Sequence, residues 1–135
     1  MIKLSKEKPY EDACKILGLR PVANYKSYKL TDETRNFIKL ETVAKALNEG
    51  WKPTTIDPKE VRYYVWGWNY TDNRKPAGLL HVYSGGGLGF AAATVGTSLE
   101  FKDRDTAKEF ARMCKPMIVK YLFGRDDHEN FKFDF

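Results

Sequence analysis

The stretch Val61-Arg62-Tyr63-Tyr64-Val65-Trp66-Gly67-Trp68-Asn69-Tyr70 interrupts a chain of helix-like patterns with a β-like one. Its density of β-branched and aromatic residues predicts a strand. Side chains alternate across a strand, so Val61, Tyr63 and Val65 share one face while Arg62, Tyr64, Trp66, Trp68 and Tyr70 share the other. The first face suits a core. The second is a row of rings headed by a guanidinium.

Downstream, Asp72 and Asn73 mark a turn. Leu79 to Tyr83 reads as a second strand, Leu88 to Val95 as a third and Thr97 to Lys102 as a fourth. The short links between them predict an antiparallel meander. In the second strand His81 and Tyr83 share a face, opposite Leu80 and Val82. The last helix follows, capped by Asp103 or Asp105 and stopped by Gly124. Its stripe runs through Ala107, Phe110, Ala111, Cys114, Met117, Ile118, Tyr121 and Leu122, and Pro116 predicts a kink.

Upstream, Pro9 to Leu17 reads as a helix between an N-terminal proline and the stop at Gly18. A short extended piece is expected around Tyr25 to Leu30. A second helix is expected from Asp32 to Asn48, capped by Thr31 or Asp32, with Phe37, Leu40, Val43, Ala44 and Leu47 on its buried side. The expected fold class is thus α+β. An antiparallel sheet of about four strands packs on a long C-terminal helix, with two helices ahead of it.

The 135 residues suit one domain, expected over 1–125, followed by a tail over 126–135. Charge divides the same way. The tail holds four acids (Asp126, Asp127, Glu129, Asp134) against Lys132, a net of −3, so the +5 of the whole chain leaves +8 on the body. A basic body favours polyanionic partners, although solubility alone also accounts for it. No apolar run approaches the ~20 residues of a bilayer span, and the N-terminus lacks the apolar stretch of a secretion signal. An intracellular protein with no membrane partner is expected.

Few residues carry catalytic or metal chemistry. Cys14 and Cys114 lie in helical patterns and read as buried thiols, and the two histidines, His81 and His128, are far apart. Gly87, Gly89 and Ala92 match a dinucleotide-loop spacing, but β-like residues follow where a helix must open. No cofactor, no metal and no enzymatic activity are expected.

The aromatic row points instead to single-stranded nucleic acid, which binds by stacking bases on rings and holding phosphates with cations. Tyr64, Trp66, Trp68, Tyr83 and Phe90 are the expected stacking residues. Lys59, Arg62, Arg74, Lys75, Lys102 and Arg104 are the expected phosphate contacts. The alternative is a sheet covered on both faces, with Trp66 and Trp68 packed beneath the first two helices.

The ending, from Asp126 through Phe131, Phe133 and Asp134 to Phe135, resembles the acidic, Phe-terminated tips of bacterial and phage single-stranded DNA-binding proteins, although Lys132 interrupts it. The resemblance implies a partner-binding tail using Asp126, Asp127, Phe133, Asp134 and Phe135, able to recruit replication proteins or compete with DNA. Alternatively the tail folds back and packs its phenylalanines on the domain. The order of helices does not match the five-stranded barrel usual among such proteins.

A second resemblance spans roughly residues 37–123. The run Ala46 to Pro53, the aromatic strand, the Gly-rich middle, and Ser98 to Lys102 leading into Ala107 to Phe110 look like small proteins of Bacteroidetes phages and prophages, crAss-like phages included. It implies a phage setting, in the cytoplasm of an infected bacterium or in the virion. The leading expectation is a phage DNA-replication accessory that binds single-stranded DNA, or RNA. A structural virion protein and a small inhibitor of a host enzyme or defence system are the alternatives. Self-association into a homo-oligomer is left open.

Overall fold

The computed structural model describes residues 2–52, 60–68, 71, 76–86 and 97–135. Its described elements are α1 (Pro9–Leu17), α2 (Asp32–Asn48), β1 (Val61–Gly67), β2 (Leu79–Gly86), α3 (Arg104–Phe123) and β3 (Lys132–Phe133), an α+β arrangement. The expected strand over 88–95 lies outside the described residues.

Each helix ends where its local chemistry requires. α1 starts on Pro9 and stops at Gly18, whose φ of 68° is left-handed; the Leu19 amide reaches back to the Cys14 carbonyl at 2.8 Å. Thr31 caps α2 by accepting from the Thr34 amide at 3.1 Å, and Asp103, not Asp105, caps α3 by accepting from the Thr106 amide at 2.7 Å. Pro116 has no N–H for the Arg112 carbonyl, and the helix breaks locally at Cys114, with φ −113° and ψ 20°. Residues 22–30 are a short 3₁₀ turn over Val22–Asn24 and further turns, not the extended piece expected.

The sheet order is β1-β2-β3. β1 and β2 are antiparallel, pairing Tyr64 with Tyr83, Val65 with Val82 and Trp66 with His81. β3 runs parallel to β2, pairing Leu79 with Lys132 and Leu80 with Phe133. The all-antiparallel expectation is corrected here for a topological reason. The chain reaches β3 only after crossing the sheet through α3, and such a crossover delivers a parallel strand. The expected strand Thr97 to Lys102 is also corrected. Thr97–Leu99 forms a 3₁₀ turn, and only Phe101 bridges Tyr63, each amide 2.8 Å from the other's carbonyl. With Asp103 already serving as the α3 cap, too little chain remains for a ladder.

The core lies between one sheet face and the helices. Val65, Val82, Phe101, Leu40, Val43, Leu47, Phe110, Ala111, Cys114 and Ile118 form the main cluster, with Ala13 and Tyr10 of α1 behind them. Of the expected α3 stripe, Tyr121 is exposed at the helix's outer edge, with its ring 5.6 Å from Phe37. A second cluster joins Leu80, Val119 and Phe131, with Phe123 and Phe133 packed against it.

Gly67 ends β1 under this second cluster. A Cβ there would lie 2.8 Å from Leu80 Cδ2, 2.9 Å from Phe123 Cζ and 3.0 Å from the Leu79 carbonyl oxygen. The side chains can yield but the carbonyl of the paired strand cannot. Gly67→Ala is therefore expected to cost about 1–3 kcal/mol, read as a lowered urea midpoint at unchanged slope; an unchanged midpoint would show that β1 and α3 do not approach this closely.

Candidate nucleic-acid interface

The β1–β2 register sorts the rings. Val65 and Val82 are buried toward the helices, so Tyr64, Trp66, His81 and Tyr83 stand on the opposite face. Pairing sets Tyr64 beside Tyr83, with ring centres 6.1 Å apart at 21°, and Trp66 beside His81. His81 meets Tyr83 edge-on at 4.9 Å. Trp66 is 37% exposed, which for so large a side chain leaves a substantial ring surface in solvent. Tyr64 and Tyr83 are half-buried. Trp68 is also half-buried, just beyond β1, where its amide donates to the Leu79 carbonyl at 3.1 Å and its carbonyl accepts from Gly78 at 2.7 Å. α2 and α3 thus back the valine face, and the ring face stands on the far side of the sheet.

The expected cations separate into three groups. Lys102 is exposed immediately after Phe101. Arg62 shares the ring face but is held by carboxylates, with Nε 3.6 Å from Glu60 and a terminal nitrogen 3.7 Å from Glu100. Burial pushes the Glu100 carboxyl above its ordinary range, and the neighbouring Arg62 charge opposes the shift. Two carboxylates thus hold the Arg62 guanidinium on the ring face. Arg104, at the start of α3, donates to the Val82 carbonyl at 2.8 Å and lies over the Tyr63 ring at 5.1 Å, on the helix side of the sheet. Lys59, Arg74, Lys75, Phe90 and Tyr70 lie outside the described residues.

One cation was missed. The parallel register puts Lys132 beside Leu79 on the ring face, exposed at the β3 edge. Its place follows from the pairing of a two-residue strand, which no sequence period reveals. Asp134 reaches His81 from the same edge, so the β3 margin carries both signs.

The chain's end takes the folded-back arrangement. Phe131 is 3% exposed. Phe133 and Phe135 stack at 4.8 Å, with Lys115 over Phe133 at 5.5 Å and Lys108 and Arg112 over Phe135 at 5.6 and 5.2 Å. Asp126 is exposed, 3.8 Å from Lys120. Asp127 accepts from Arg125 and from Asn130, and these hydrogen bonds, Arg125 first, hold its carboxyl down to about 2. Of the expected tail residues, Asp126 is exposed and Phe133 and Phe135 are half-buried against α3.

Among the described residues, no group of three or more His, Cys, Asp or Glu is placed to hold a metal ion, and no helix is long and apolar enough to cross a membrane. Both thiols are buried. Burial raises each, Cys114 to about 12, so at neutral pH they are protonated packing groups. Comparison with known protein families, curated proteins and solved structures gives no match.

Proposed function

We propose that the protein binds single-stranded nucleic acid, DNA in the first instance, by stacking bases on the sheet face of Tyr64, Trp66, Tyr83 and His81. The observation that carries this reading is the pairing of Trp66 with His81 and of Tyr64 with Tyr83 on the side of the sheet away from the helices. Rings that present a face to solvent suit bases of any sequence, at ~1–3 kcal/mol per stacked base. Lys102 and Lys132, and the +8 carried by residues 1–125 once the −3 of the tail is set aside from the total of +5, supply the attraction for phosphate. The resemblance of the sequence to small phage proteins makes replication of phage DNA in an infected bacterium the setting we propose.

Tryptophan emission should fall when oligo-dT is added at low salt, since Trp66 would lie against a base. Affinity should then drop as salt rises, with log K falling by about 0.7 per phosphate contacted for each unit of log salt. Unchanged emission and unchanged anisotropy of a labelled oligonucleotide at low salt would remove the reading.

A further inference from the structure

The loop between α1 and α2 carries an aromatic and basic surface of its own. Tyr25 and Tyr28 are 38% and 46% exposed, and their rings stack at 6.0 Å and 20°. A lysine follows each ring, Lys26 and Lys29. Lys15, Arg20, Lys26 and Lys29 are all exposed, and the stretch that holds them is bordered by Glu11 and Asp12 on one side and Asp32 and Glu33 on the other.

Two exposed tyrosines on a loop would ordinarily be expensive to order. Here the loop is fixed from below by the Arg35 guanidinium, which donates to the carbonyls of Ala23 at 2.6 Å, Tyr25 at 3.3 Å and Tyr28 at 2.5 Å. Arg35 stands in the first turn of α2, itself capped by Thr31. The foot of the loop is tied to α1: the Ala23 amide donates to the Tyr10 hydroxyl at 3.2 Å, and Asn24 donates to the Glu11 carboxylate at 2.8 Å. A planar, permanently charged donor is suited to gathering several acceptors at once. The carbonyls it meets are neutral, so its charge adds to the positive potential under the rings. The loop is therefore ordered before any ligand arrives, which removes much of the entropy cost of binding.

We infer that this Arg35-clamped loop, with Tyr25 and Tyr28 flanked by Lys26 and Lys29, is a second binding site for single-stranded nucleic acid, separate from the sheet face. Each ring offers a stacking surface to a base, and the lysine after it meets the adjoining phosphate. The two lysines beside the rings, Lys26 and Lys29, favour a polyanion over a basic partner. Stacked rings distinguish a ligand with bases from one with charge alone.

The test uses the whole chain and dT oligonucleotides carrying 5-iododeoxyuridine, with photocrosslinks mapped by mass spectrometry. Crosslinks on Tyr25 or Tyr28 are expected in the wild-type protein and in a Trp66→Ala variant. Tyr25→Ala/Tyr28→Ala should weaken oligonucleotide binding by about tenfold or more. Arg35→Lys should weaken it too, because it keeps the charge but loses the three-carbonyl clamp. Poly-glutamate at equal charge should compete poorly. Crosslinks confined to Trp66 and Tyr83, with unchanged affinity in the double tyrosine variant, would overturn the loop site and leave the sheet face standing. Crosslinks confined to the tyrosines would support the loop and remove the sheet face. Competition by poly-glutamate equal to that of oligonucleotide would also overturn the proposal, since charge alone would then account for binding.

Discussion

Phe131→Ala is expected to lower the free energy of unfolding by about 3–5 kcal/mol. The residue is 3% exposed and sits with Leu80 and Val119 in the cluster that joins β2, α3 and the chain's end. Its ring stacks on Phe123 at 4.9 Å and lies beneath the Arg125 guanidinium at 5.3 Å. Truncation removes those contacts and leaves a cavity that neither strand nor helix can close, because β3 is already held by the Lys132 amide on the Gly78 carbonyl at 2.8 Å. Against a total of about 5–15 kcal/mol for a protein of ordinary stability, the loss is large enough to leave a substantial unfolded fraction at elevated temperature. Urea denaturation followed by circular dichroism measures it. Phe135→Ala, a half-buried ring at the rim, should cost far less. If both substitutions change stability by under about 0.5 kcal/mol, as surface changes do, residues 131–135 are a free tail and β3 does not exist in solution.

That pair of outcomes bears on what was legible in the amino acids. The helices were readable because their signals are local. Pro9 and Gly18 bracket α1, Thr31 caps α2, and Pro116 announces the break that falls at Cys114. The alternation in β1 was equally local, and it placed Val65 in the core with Tyr64 and Trp66 opposite. β3 was not readable, because Lys132–Phe133 is too short for a period to show and its partner lies more than fifty positions earlier in the chain. The turn at Thr97–Leu99 escaped for a related reason: Leu99 and Phe101 are both buried, as they would be in a strand.

The cations of the site show the same limit more sharply. A list of lysines and arginines cannot say which charges are already matched. Arg62 meets Glu100, thirty-eight positions away in sequence, and Arg104 meets the carbonyl of Val82; both pairings are products of the fold. Conversely, the tyrosines at 25 and 28 looked like an extended segment. The clamp that makes them a surface belongs to Arg35 in the next helix.

Trp66→Ala is expected to weaken binding of oligo-dT by about 5- to 150-fold, the equivalent of the ~1–3 kcal/mol carried by one ring–base stack. Trp66 is the most exposed ring among the described residues of the face, and its neighbour across the pair is His81. With Trp66 only 37% exposed, the substitution is expected to cost about 1–2 kcal/mol of stability as well, so binding is compared under conditions where circular dichroism shows both proteins folded. Stacking and charge separate in the salt dependence. Because an indole carries no charge, Trp66→Ala should shift the plot of log K against log salt without tilting it, whereas Lys132→Ala should flatten it by about 0.7. Trp66→Phe should recover part of the loss, since a smaller ring still stacks. A Trp66→Ala protein that binds as tightly as the parent would mean that no base rests on this ring, and the sheet face would then have no mechanism for recognising single strands.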